Sequence, residues 1–166
     1  MNLTVDVEVL TGTDTPSSDL IEQWIAATLQ VSDQLSCSDD LSVEVSVRIV
    51  DCEEMQHLNK TWRGKDSATN VLSFPSGTAL QFDFCHLGDI VVCAPVVEDE
   101  ARDQSKTVQA HWAHMLVHGT LHLLGHDHIE DTEAELMESL EANILQQLNL
   151  PNPYMLQSSG RSPARQ

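Results

Sequence analysis

The sequence predicts an α+β fold: a mixed sheet of about four strands, packed with helices around one central, buried helix that carries histidines. Three observations predict it. Short stretches alternate apolar and polar residues with a period of two, as half-buried strands do. Longer stretches with apolar residues at helical spacing interleave with them, as in packed α and β layers. Between Thr107 and Gly125, residues Val108, Trp112, Met115, Leu116, Leu121 and Leu123 are dense enough for a buried helix, with no Gly or Pro before Gly119.

The elements follow in order. Leu3, Val5, Val7 and Val9 alternate with Thr4, Asp6 and Glu8, which makes Leu3 to Leu10 a strand. Ser17 or Ser18 caps a helix running to about Ser32, with Leu20, Ile21, Trp24, Ile25 and Leu29 on its apolar side. Ser36 to Asp40 is a polar loop. Leu41 to Val50 alternates again. Asp51, with Glu53 and Glu54 in the first turn, starts a helix with Met55, Leu58 and Trp62 as its apolar face, ended by Gly64. Asn70 to Phe74 is a short strand closed by Pro75 and Gly77, and Ser76 to His86 is an irregular connection. Leu87 to Cys93 is the next strand. Pro95 opens a helix to Asp103, followed by the histidine helix. Asp131 or Thr132 caps a last helix to Leu148, with Leu136, Leu140, Ile144 and Leu148 at helical intervals, stopped by Pro151 and Pro153.

At 166 residues, 41% of them hydrophobic, the chain is expected to form one domain over residues 1–150. Residues 151–166 are expected to form a C-terminal tail, disordered from about Gln157. The four cysteines, Cys37, Cys52, Cys85 and Cys93, have no C-x-x-C spacing and read as reduced thiols of a cytosolic protein. The N-terminus lacks a basic and apolar signal pattern, and no run approaches the roughly 18 apolar residues of a membrane span. A soluble, cytoplasmic protein without a membrane partner is the expectation. The net charge of −18 repels polyanions at long range. Yet six of the eight basic residues lie between Arg48 and Lys106, so a local basic group can hold a phosphate inside an acidic molecule.

The chemistry concentrates in His118-Gly119-Thr120-Leu121-His122-Leu123-Leu124-Gly125-His126-Asp127-His128. On a helix His118 and His122 share a face one turn apart, so their imidazoles can bind one ion. His111 and His114 fall near the same stripe, but His114 and His122 would lie about 12 Å apart along the axis and cannot share that ion. Gly125 offers the positive φ that ends a helix, after which the chain can fold back with a third ligand, His128 or His126. A zinc ion, one per chain, held by three imidazoles keeps an open position, where water has its pKa lowered to about 7. The spacing His-x3-His-x2-Gly-x2-His occurs in metzincin proteases, but the residue after their first His is the Glu general base, and here it is Gly119. Arg63, at a helix end beside Gly64, can engage phosphate bidentately and stabilise developing charge, or simply complement the helix dipole. Asp127 can orient a ligand imidazole from outside the coordination sphere, or cap the turn.

Four blocks resemble the YbeY family of bacterial metal-dependent endoribonucleases, also called rRNA maturation factors. They are the histidine stretch, Leu58-Asn59-x-x-x-Arg63, Thr69-Asn70-Val71-Leu72-Ser73-Phe74-Pro75 and Leu87-Gly88-Asp89-Ile90, in the family's order and spacing, within a similarity running from about Leu3 to Leu150. The resemblance implies an α+β fold and zinc held by His118, His122 and His128. It implies Arg63 serving the phosphate and single-strand-specific cleavage of RNA. It further implies maturation of the small-subunit (16S) rRNA 3′ end and ribosome quality control, with single-stranded rRNA and the ribosome or its basic proteins as partners. Ser73 and Phe74 are expected to line the groove for unpaired nucleotides. Two positions depart from the family pattern: Asn70 stands where Asp is usual, and His126 where Tyr is usual. The alternatives are a zinc peptidase with a displaced base and a ribosome-assembly module with structural zinc, whose site would be closed by a fourth protein ligand.

Overall fold

A computed structural model describes residues 1–32, 40–76, 84–127 and 129–154. Cys37, Gly77, Phe82, His128 and the tail from Met155 lie outside the described residues, and with them most of the expected 36–40 loop and 76–86 connection. The described elements are β1 (Asn2–Val9), α1 (Ser18–Leu29), β2 (Ser42–Val50), α2 (Cys52–Arg63), β3 (Val71–Pro75), β4 (Phe84–Cys93), α3 (Ala94–Asp103), α4 (Val108–Leu123) and α5 (Asp131–Gln147). The four strands form one sheet in the order β1-β2-β4-β3. β1 with β2 and β2 with β4 are parallel, and β3 with β4 is antiparallel, so the sheet is mixed as expected.

Hydrophobic pattern decides which face of each strand is covered. Val43, Val45, Val47 and Ile49 of β2, Ile90 and Val92 of β4 and Val71 of β3 join one core with Ile21, Trp24, Ile25 and Leu29 of α1 and the apolar residues of α4 and α5. Val50, Leu72, Val91 and Cys93 form a smaller cluster on the other face with Met55 of α2. The expected burial of the histidine helix is borne out: twelve of the sixteen residues of α4 are buried, and it touches α1, α3, α5, β3 and β4. Only a helix surrounded on all sides would be so apolar all round. Thr107 caps it, its side chain accepting from the Ala110 N–H at 3.1 Å. Ser17 does the same for α1 toward Leu20 at 3.2 Å.

Three expectations need correction. β4 begins at Phe84, not Leu87, because Phe84, Cys85 and His86 pair with Ser42, Val43 and Glu44. The pairing then skips Leu87, a bulge that hides the alternation, and Gly88 follows at φ 148° with a Cβ position only 2.4 Å from the Phe74 carbonyl oxygen. Trp62 does not bury with Met55; it is 67% exposed and sits edge-on to Phe74, 6.1 Å between ring centroids. The buried stripe of α5 is Ala134, Met137, Glu141, Ile144 and Leu145, while Leu136 is 54% exposed. Of the four expected residues Ile144 is buried and Leu140 and Leu148 pack partly buried against the core, so only Leu136 fails; the buried face is broader than expected and includes an acid.

Gly119 has a packing reason. A Cβ there would lie 3.0 Å from Ile90 Cγ2, 3.1 Å from Ser73 Oγ and 3.3 Å from Val71 Cγ2, so α4 presses its backbone onto β3 and β4. Gly119 therefore faces the sheet. Gly119→Glu should force a carboxylate into this contact and cost about 4 kcal/mol or more of stability in a denaturant titration; a variant as stable as wild type would contradict the packing.

Candidate active site

A cleft of about 500 Å³ opens where α2, β3, α4 and the chain after α5 meet. Its lining includes Arg63, Lys65, Ser73, Lys106, His114, His118, His122, Asp127 and Tyr154. Three of the chain's eight basic residues thus border one cleft of a molecule with net charge −18.

Each contributor is placed by local chemistry. Gly64 adopts φ 71° and stops α2; its N–H donates to the Lys60 carbonyl at 3.1 Å, and the Lys65 N–H to that of Asn59 at 3.3 Å. Arg63 is left at the last helical position, on the cleft rim. Buried Asn59 donates through Nδ2 to the Ser67 carbonyl at 2.8 Å, holding the loop that follows. At the other end of the cleft Gly125, at φ 98°, turns the chain after α4; its N–H donates to the His122 carbonyl at 3.0 Å, and the His126 N–H to that of Leu121 at 3.0 Å. The reversal brings Asp127 back to the lining.

The histidines of α4 form one edge-to-face series, His111 to His114, His114 to His118 and His118 to His122, with centroids 5.9, 6.4 and 4.7 Å apart. Their outer partners give them different tasks. Glu141 of α5, 1% exposed, lies 2.6 Å through Oε1 from His118 Nδ1. A carboxylate only accepts, so Nδ1 carries the hydrogen and the Nε2 lone pair of His118 points into the cleft. His122 Nε2 lies 3.2 Å from that atom. Two nitrogens each about 2.0–2.1 Å from one tetrahedral cation would stand about 3.4 Å apart. The pair therefore fits a shared metal ion. No third His, Cys, Asp or Glu joins it among the described residues; His128 lies outside them.

His114 takes no part in that pair. Its Nε2 faces the Tyr154 hydroxyl at 3.3 Å and Glu141 Oε2 at 3.5 Å, and its Nδ1 faces Lys106 Nζ at 3.5 Å. Lys106 Nζ also reaches His111 Nδ1 at 3.1 Å, while His111 Nε2 donates to Glu100 Oε1 at 2.9 Å. Glu100 in turn accepts from Asn70 Nδ2 at 3.0 Å. A polar chain thus runs from Asn70 through Glu100, His111, Lys106, His114 and Glu141 to His118. Burial pushes the Lys106 ammonium and the His114 imidazolium below their ordinary pKa values, against nearby Glu141 in both cases and Glu100 beside Lys106. Burial alone would raise Glu100 and Glu141; His111, the Asn70 amide and the Lys106 charge outweigh it at Glu100, and His114 and His118 at Glu141, holding both below the ordinary 4.5.

Of the residues singled out from sequence, His118, His122, Arg63, Ser73 and Asp127 share the cleft. Ser73 faces α4 and donates through Oγ to the Gly119 carbonyl at 2.9 Å. Phe74, its neighbour in β3, points to the opposite sheet face, as alternate strand residues must, and lines a separate groove with Leu58, Trp62, Asp89 and Arg48. Glu141, Tyr154, Glu100 and Lys106 were not anticipated. For Glu141 a signal existed: it lies four residues after Met137 and three before Ile144, on the buried stripe of α5.

The model for endoribonuclease YbeY matches residues 8–149. The chain belongs to the YbeY endoribonuclease family. It is 48% identical over 154 residues to the endoribonuclease YbeY of Idiomarina loihiensis, covering 92% of both chains. It is similar in fold to the solution structure of TM1509 from Thermotoga maritima, with a TM-score of 0.52 and 27% identity over 86% of this chain and 91% of that one. Membership of this YbeY family assigns the class, a nuclease acting on RNA. No helix among the described residues is long and apolar enough to cross a membrane.

The two depressed carboxyls carry a pH signature. A group whose pKa is lower in the folded than in the unfolded chain adds stability above its unfolded pKa and loses it as pH falls through the folded one. Stability should therefore decline below about pH 4.5. Glu141→Gln should show a shallower decline than wild type in acid denaturation; an unchanged slope would mean Glu141 is not held ionised.

Proposed function

We propose that this chain is a zinc-dependent endoribonuclease of single-stranded RNA, that it matures the 3′ end of 16S rRNA and that it serves ribosome quality control in the cytoplasm. The observation that carries the reading is the 3.2 Å approach of His118 Nε2 to His122 Nε2 in a cleft bordered by Arg63. His118, His122 and His128 would hold the ion, within a catalytic domain spanning residues 1–150. When bound, zinc would supply Lewis acidity toward a phosphate oxygen and the attacking oxygen.

The remaining work falls to side chains of the protein. Arg63 offers a planar guanidinium to the non-bridging phosphate oxygens and offsets the charge that builds on them during displacement. No acid pairs with Arg63 among the described residues, which leaves it available to an anion. Lys65 and Lys106 add positive potential to the same cleft and draw the strand in past an acidic surface. Ser73 borders the path of the unpaired strand in the cleft, whereas Phe74 faces away from it into the separate groove. Asp127 orients an imidazole from outside the coordination sphere. The net charge suits delivery by a basic ribosomal protein over unaided capture of RNA.

The packing of Gly119 weighs against a peptidase. At the position of the metzincin base, Gly119 has no side chain to act as one, and a Cβ there would press on Ile90, Ser73 and Val71. Stripping the metal with a chelator should abolish cleavage of single-stranded RNA, and zinc should restore it. Arg63→Ala should lower kcat/KM about 10²–10³-fold with fold and metal content unchanged. Unaltered cleavage in both preparations, measured on an end-labelled single strand, would overturn the mechanism.

A further inference from the structure

The chain does not end its structural role with α5. Asn149 takes φ 62° and the Leu150 N–H donates to the Leu145 carbonyl at 2.8 Å, so the backbone reverses after the helix. Asn152 Oδ1 accepts the Tyr154 N–H at 2.8 Å and tightens the next turn. These two turns lay the Tyr154 ring edge-on to His114, 5.6 Å between centroids at 88°. The hydroxyl of Tyr154 then donates to Glu141 Oε2.

Glu141 is thereby held at both oxygens: His118 Nδ1 takes Oε1, and Tyr154 takes Oε2 with His114 Nε2 nearby. A carboxylate gripped at one oxygen can swing about its last torsion, which is broad and roughly two-fold. Gripped at both, it presents one fixed acceptor to His118 and sets the plane of that imidazole. Resting on the metal reading above, we infer that Tyr154 is a positioning residue of the metal centre. The segment Pro151–Tyr154 is on this view a strap that completes the centre by locking Glu141 behind His118. Partners one shell out from a metal typically change affinity by about 10–100-fold when removed.

The test uses full-length protein and zinc competition against a chromophoric chelator. Tyr154→Phe keeps the ring against His114 and removes only the hydroxyl. It should weaken zinc binding about 10–100-fold, by more than any fall in metal-free stability accounts for, and regain wild-type kcat on single-stranded RNA at saturating zinc. In a Glu141→Gln background the same change should add little, because both substitutions remove one arrangement. Wild-type zinc affinity in Tyr154→Phe, with zinc binding and cleavage intact in wild type, would overturn the inference alone. So would a weakening matched by an equal fall in metal-free stability, which would assign the hydroxyl to folding. A wild-type protein that binds no zinc would overturn this inference and the metal reading together.

Discussion

The contact between buried Glu141 and His118 gives the histidine helix a direction. Four imidazoles along one stripe have no inherent division of labour. The carboxylate divides them: it fixes which nitrogen of His118 is protonated, turns the other toward His122, and leaves His114 bonded on the side away from that pair. An acid buried to this degree would be costly if unpartnered. Here its cost is offset by imidazole and phenol donors from α4 and the chain after α5, so the packing of those two elements and the polarity of the site are one problem with one solution.

The sheet solves the complementary problem, that of bringing Arg63 across from the histidines. α2 ends at Gly64, and the loop pinned by Asn59 delivers the chain into β3. β3 lies beside β4 under α4, where the absence of a side chain at Gly119 lets strand and helix approach closely enough for Ser73 to bond the helix backbone. Guanidinium and imidazoles thus face one cleft although they are more than fifty residues apart in the chain. The antiparallel β3 forms the sheet edge, with the cleft on one side and the Trp62–Phe74 groove on the other.

Much of this was legible in the sequence because local rules were obeyed. β1, β2 and α1 carry unbroken patterns and appear within one to three residues of their expected bounds. The i, i+4 histidines and the Gly64 stop point to the cleft from spacing alone. What stayed hidden depended on contacts between distant residues. The Leu87 bulge breaks alternation only because β2 dictates the pairing. In α5 the spacing of Met137 and Ile144 brings Glu141 onto the buried side, but only its partners on other elements, His118 and Tyr154, show why an acid is stable there. Tyr154 follows two prolines in what composition marks as tail, and nothing local shows that it turns back.

The order of these parts along the chain has a consequence for synthesis. Arg63 and the paired imidazoles are made well before Glu141, and Tyr154 comes later still. A growing polypeptide that folds from its amino end can lay down the strands and α4 while His118 still lacks its acceptor. The grip on that imidazole closes only after Glu141 and then Tyr154 have emerged. For a member of an RNA-cutting family, the hydrogen bonding that orients His118 is thus among the last parts of the fold to be completed.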